Sequence, residues 1–195
     1  MTNQAHYPLL LAALNPEVIP LPSKILVLVG RSAELHPLVL QSLFLRARHG
    51  EQLAIVVGDN RLNVYALARL ARAHGDSPSH LLSQIQFARS FTCHQLHDSI
   101  LNFSLDCSAL YVLGLLDPFY DEDIPVSTVA RLLNGILARL RGIASQGLSI
   151  LVTISPPPPA TPRRELVARV LRAADVYWQP TPEVVEFVTT QSAMG

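Results

Sequence analysis

Apolar residues along this chain fall into short unbroken runs, separated by segments with helical spacing. KILVLV (24–29), LAIVVG (53–58), ALYVLGLL (109–116) and LSILVTIS (148–155) are continuous. That pattern belongs to strands buried on both faces of a parallel sheet. QFARSF (86–91) alternates and reads as a further strand. Between these runs lie HPLVLQSLFLRARHG (36–50), VYALARLARAHG (64–75), HQLHDSILNFSL (94–105) and VSTVARLLNGILARLRGIASQG (126–147). Each carries apolar residues at helical spacing, and several end on glycine, a frequent helix stop. Pro37 suits the first turn of its helix, where a missing N–H costs nothing. DSPSHLLSQI (76–85) reads as a turn and a short helix.

After the fifth strand comes PPPPATPRR (156–164), which can join neither a ladder nor a helix interior. A helix, ELVARVLRAA, follows. The tail DVYWQPTPEVVEFVTTQ predicts a terminal β-hairpin near 175–190, turning on Pro-Thr-Pro. Repeated β-α units imply an α/β fold in three layers: a central, mostly parallel sheet with helices on both faces and the C-terminal hairpin. The whole chain, 1–195, reads as one domain. Residues 1–23 form an N-terminal extension, and the proline run is a loop within the domain.

Composition narrows the function classes. The 195 residues are 49% hydrophobic and 15% charged, with a formal net charge of zero. A largely buried sheet accounts for part of that apolar content, and surface facing a partner for the rest. No strong field draws in nucleic acid or anionic lipid. Lys24 is the only lysine. PLLLAAL near the N-terminus is too short to span a bilayer and follows no basic stretch, so the expectation is a cytoplasmic protein with no membrane role. Cys93 and Cys107 form no metal motif. His94 and His97 stand three apart, but no third ligand is near in sequence, so no metal is expected. Cys93 and His94 are chain neighbours, which seldom face each other, so a Cys–His pair is not expected either. GRSAE around Ser32 is not a nucleophile elbow. GDNRLN (58–63) follows a buried strand, where an α/β fold places its ligand crevice. Asp59, Asn60, Arg61 and Asn63 are therefore candidates for a site, against the ordinary reading of a βα turn.

Residues 53–155 resemble the core of the RecA/RadA recombinase family, in its archaeal and eukaryotic branch. FARSFTCHQLHDSI (87–100) is similar to the strand and turn that end in His-Gln there. ALYVLGLLDPFYDEDIP, the long helix and LSILVTIS resemble the Walker B strand, its loop, the next helix and the sensor strand. The resemblance implies a RecA-like three-layer fold. It also implies a phosphate-binding P-loop after the first strand, at ILVLVGRSAELHPLVLQSL (25–43). Gly30 matches that loop's first glycine. Its second glycine, lysine and hydroxyl fall on Leu35, His36 and Pro37. The lysine and hydroxyl supply charge and Mg²⁺ coordination, so their loss removes phosphate chemistry. Gly30, Arg31, Ser32, Asp59 and Asn60 are then the residues of a vestigial nucleotide site.

The family's catalytic glutamate falls nearest Asp59, and Gln95 keeps the glutamine of the third-strand turn. The Walker B aspartate falls on Gly114, or on Asp117 if the fourth strand runs longer. The sensor pair falls on Ile154 and Ser155. Asp59, Asp117 and Gln95 are the catalytic candidates. The first DNA loop carries Asp117, Asp121, Glu122 and Asp123, which repel a phosphate backbone. Arg163 and Arg164, in the place of the second DNA loop, are the candidates for weak DNA contact. The resemblance implies a non-catalytic relative with no cofactor, acting as a binding or assembly module in DNA recombination, repair or uptake. Its partner would be another protein or a second copy, with helix 64–75 and the terminal hairpin as candidate surfaces. The alternatives are an active ATPase holding Mg²⁺-ATP through Asp59 and Asp117, and a structural homo-oligomer.

Overall fold

The computed structural model describes residues 19–178, apart from Leu105, Glu122, Ala160 and Pro162. The described strands are β1 (Ile25–Val29), β2 (Leu53–Val57), β3 (Ile85–Arg89), β4 (Ala109–Leu113), β5 (Ser149–Ile154) and β6 (Val176–Trp178). They form one sheet in the order β3-β2-β4-β5-β1-β6. Every pairing is parallel. The four continuous apolar runs are the four interior strands, in which every residue is buried. Leu26 and Val27, adjacent in β1, are both fully buried and belong to opposite core clusters. Burying such a side chain contributes about 1.5–3 kcal/mol. β3, from QFARSF, is an edge strand, in which Gln86, Phe87 and Arg89 remain exposed.

Helices α1 (Ser32–Arg48), α2 (Val64–Ala73) and α3 (Pro78–Ser83) bury one face of the sheet through Val39, Leu43, Leu67 and Leu81. On the other face, α4 (Cys93–Leu101), α5 (Val126–Ser145) and α6 (Glu165–Ala173) pack through Leu96, Leu133, Ile136 and Val170. This all-parallel, helix-covered sheet is consistent with a RecA-like three-layer fold. Among the described residues, no helix is long and apolar enough to cross a membrane.

One expectation changes, and both ends of the described chain gain detail. The first helix starts at Ser32, not at His36, so Pro37 lies inside it and removes the i→i−4 bond to Ala33. Its start is fixed by Glu34, which accepts from the Arg31 backbone N–H and from Arg31 Nε at 2.8 Å. In the N-terminal extension, Ile19 is buried, and its carbonyl accepts from Ser42 Oγ. At the other end, Val176–Trp178 runs parallel to β1, tied by Asp175 to both the N–H and the carbonyl of Ile25. The second limb of the expected hairpin lies outside the described residues.

Candidate functional site

The carboxyl ends of β1, β2, β4 and β5 meet at one end of the sheet, where parallel α/β folds bind ligands. Backbone approach is very close there. The Gly58 N–H donates to the Leu113 carbonyl at 2.7 Å, and the Gly114 N–H donates to Thr153 Oγ1 at 2.9 Å. Gly114 has a φ of +62°, and a Cβ on it would lie 2.4 Å from Asp59 Cβ and 2.8 Å from Asp117 Oδ2. Asp59 and Asp117 therefore meet over a residue that has to be glycine.

Asp59 is held from several sides. Ser32 Oγ donates to Asp59 Oδ2 at 2.7 Å, and the Arg61 N–H donates to Oδ1 at 3.1 Å. His36 Nε2 stands 2.9 Å from Oδ2, an ion-pair distance that is not aligned as a hydrogen bond. Burial pushes the Asp59 carboxyl up, but His36, Ser32 and the Arg61 N–H together outweigh it and hold it below the usual range. Asp117, in a 3-10 turn (Asp117–Tyr120), shifts the other way. Burial raises it first, the Asp59 charge raises it further, and the hydrogen bond with Ser155 only partly offsets them.

The strand-to-helix connection after β1 is two residues long, Gly30 and Arg31. A phosphate-cradling loop needs several successive free amides there. Instead the chain turns straight into α1, and the buried Leu35 side chain packs against Gly30, about where the cradle would open. Ser32 and His36, one turn apart on α1, both face Asp59. Two groups converging on one carboxylate oxygen are not a nucleophile–base relay, since neither polarises the other.

Of the expected nucleotide residues, Ser32 and Asp59 come together, while Gly30 is covered by Leu35. Arg31 points out, paired to Glu34. Asn60 points out as well, with a φ of +52° and its Oδ1 accepting from Arg89 at 3.1 Å. Gln95 caps the turn after β3: its Oε1 accepts from the Phe91 N–H at 2.9 Å, while its own N–H donates to Thr92 Oγ1. Its side chain therefore has a structural duty at the sheet's edge. The residue that sequence reading missed is His36. It stood out only as a replaced lysine, and its role as partner to Asp59 depends on contact between two elements far apart in sequence.

Two further expectations are corrected. Arg163, expected to contact DNA, is buried, and its guanidinium donates to the carbonyls of Phe119, Asp121 and Ile124. It clamps the acidic loop. Arg164 is exposed, with one contact to the Pro159 carbonyl. Cys93 and His94 do meet, with Sγ 3.6 Å from Nδ1. Burial pushes the Cys93 thiol up, which is opposite to what a nucleophile needs. Among the described residues no group of three or more His, Cys, Asp or Glu side chains is placed to hold a metal ion. An apolar groove of about 540 Å³ lies between α1 and α2, lined by Leu40, Phe44 and Leu70, none of them at the Asp59 site. Compared with known protein families and with curated proteins, the chain matches none, so its functional reading rests on the geometry around Asp59.

Proposed function

We propose that this protein is a non-catalytic RecA/RadA-like chain that acts as a binding or assembly module. The observation that carries this reading is the two-residue connection at Gly30–Arg31, closed by Leu35, with Ser32 and His36 spent on Asp59. Phosphoryl transfer depends on positioned charge and coordinated Mg²⁺, and here His36 and Pro37 stand at those positions, with His36 turned to the Asp59 carboxylate. DNA recombination, repair or uptake is the setting suggested by the sequence resemblance. Mg²⁺-ATP calorimetry on the full chain tests the reading. The expected result is no binding heat and no phosphate release above background.

The ATPase alternative draws on the pairing of Asp59 and Asp117 at the strand ends. A divalent cation would relieve the repulsion that raises Asp117. Micromolar Mg²⁺-ATP binding that Asp59→Ala or Asp117→Ala abolishes would overturn the non-catalytic reading and establish this one.

A further inference from the structure

A second groove, of about 360 Å³, runs between α5 and α6. Leu137 and Ala173 are its buried apolar floor, and Arg141, Arg169 and Arg172 line it. Arg141 Nη2 donates to the Arg172 carbonyl at 3.0 Å, which fixes the two helices at this point. Arg169 pairs with Glu165 one turn back on α6. Arg141 and Arg172, both exposed, have no carboxylate partner among the described residues.

The complementary feature is on the same chain. Asp121 and Asp123, in the loop before α5, are exposed, and among the described residues neither carboxylate forms an ion pair; Asp121 Oδ1 accepts from the Asp123 N–H at 3.1 Å. Val126, directly after the loop, is 59% exposed. The loop therefore offers carboxylates beside an apolar side chain, and the groove offers guanidiniums beside an apolar floor. They cannot meet within one molecule. α5 starts beside the loop and reaches the groove near Ala138, roughly 18 Å further along the helix at 1.5 Å per residue. The loop is also held in place by Arg163.

We infer that the acidic loop of one copy docks in the α5–α6 groove of a second copy. Arg–carboxylate pairs with two donors each give such a contact direction as well as strength. A phosphate backbone would use the guanidiniums but gain nothing from Leu137 and Ala173, which is why a protein loop is the better occupant. The inference rests on the assembly reading above. A null ATP titration leaves it standing, and a failed association assay leaves the closed nucleotide site standing.

The test is sedimentation velocity on the full chain across a dilution series. Two charge-reversed variants are compared with it: Arg141→Glu/Arg172→Glu in the groove, and Asp121→Arg/Asp123→Arg in the loop. Circular dichroism checks that both fold. Wild type is expected to self-associate, and to dissociate in about 1 M salt, where the Debye length is about 3 Å. Each variant alone should weaken association by roughly tenfold or more, since like charges then face each other. An equimolar mixture of the two should recover it, because the reversed loop fits the reversed groove. Wild type that is monomeric at every concentration overturns the inference, as do variants that associate like wild type. Loss of single-stranded DNA binding in the groove variant, with association unchanged, overturns it too and assigns the groove to nucleic acid.

Discussion

Gly114 stands where the Walker B aspartate falls in the resembled family, so Gly114→Asp is the obvious attempt to restore the site, and it is expected to unfold the protein instead. Two costs follow from the geometry. The residue has a φ of +62°, a left-handed conformation that costs a non-glycine residue roughly 1–2 kcal/mol. Its Cβ would lie 2.4 Å from Asp59 Cβ and 2.8 Å from Asp59 N and Asp117 Oδ2. Two of those atoms belong to the backbone region of Asp59, which the Ser32 and Arg61 contacts hold in place, so the clash cannot be relieved by a rotamer change. Overpacking of this kind adds about 1–3 kcal/mol. Gly114→Ala, which isolates these terms from charge, should therefore lose about 2–5 kcal/mol. That is a large share of a typical 5–15 kcal/mol total, taken as an order of magnitude. Urea denaturation followed by far-ultraviolet circular dichroism reads this as a lower midpoint at unchanged slope. Gly114→Asp adds a third carboxylate beside two others and should be worse, with no gain of Mg²⁺-ATP binding. A loss below about 1 kcal/mol for Gly114→Ala would show that the loop yields and would refute the reasoning.

Asp117→Asn is expected to stabilise the protein at neutral pH. The folded state raises the carboxyl above its unfolded value, so stability falls as pH rises from the unfolded value towards the folded one, and the gain from Asn should vanish in acid; equal midpoints for the two proteins at pH 7 would contradict this. Asp59 has the opposite sign. Its depressed carboxyl contributes stability above the unfolded value that is lost as pH falls through the folded one, and denaturation of His36→Ala across that range should show a smaller acid loss than wild type. Arg163→Ala removes the donors to three loop carbonyls and should cost about 3 kcal/mol in urea denaturation, with little change in DNA anisotropy. Tyr111, buried with its hydroxyl on Ser42 at 2.8 Å, is pushed up to about 12, and burial pushes Tyr120 up as well, so ultraviolet titration should find two tyrosines ionising late, and stability should fall as alkali passes the unfolded value of about 10.

The alternation of strands and helices was written in the chain. Continuous runs such as LAIVVG mark strands buried on both faces, because burial acts on each side chain separately and leaves a local pattern, and the broken run QFARSF marks the edge strand. That positions 36 and 37 carry histidine and proline, not lysine and a hydroxyl, was equally legible, since these are chemical groups that a sequence either has or lacks. The start of α1 was not legible. Pro37 argues locally for a first turn, yet the Glu34 contacts to Arg31 and the burial of Leu35 under the sheet's end carry the helix back to Ser32. Nor did the sequence reveal that His36 faces Asp59, that Arg163 is buried, or that Gly114 has no room for a side chain. Each depends on strands and helices distant in sequence meeting at one end of the sheet, where positions within a few ångströms of one another are fixed by packing. A local pattern records what each residue prefers, and only the assembled layers decide which residue it meets.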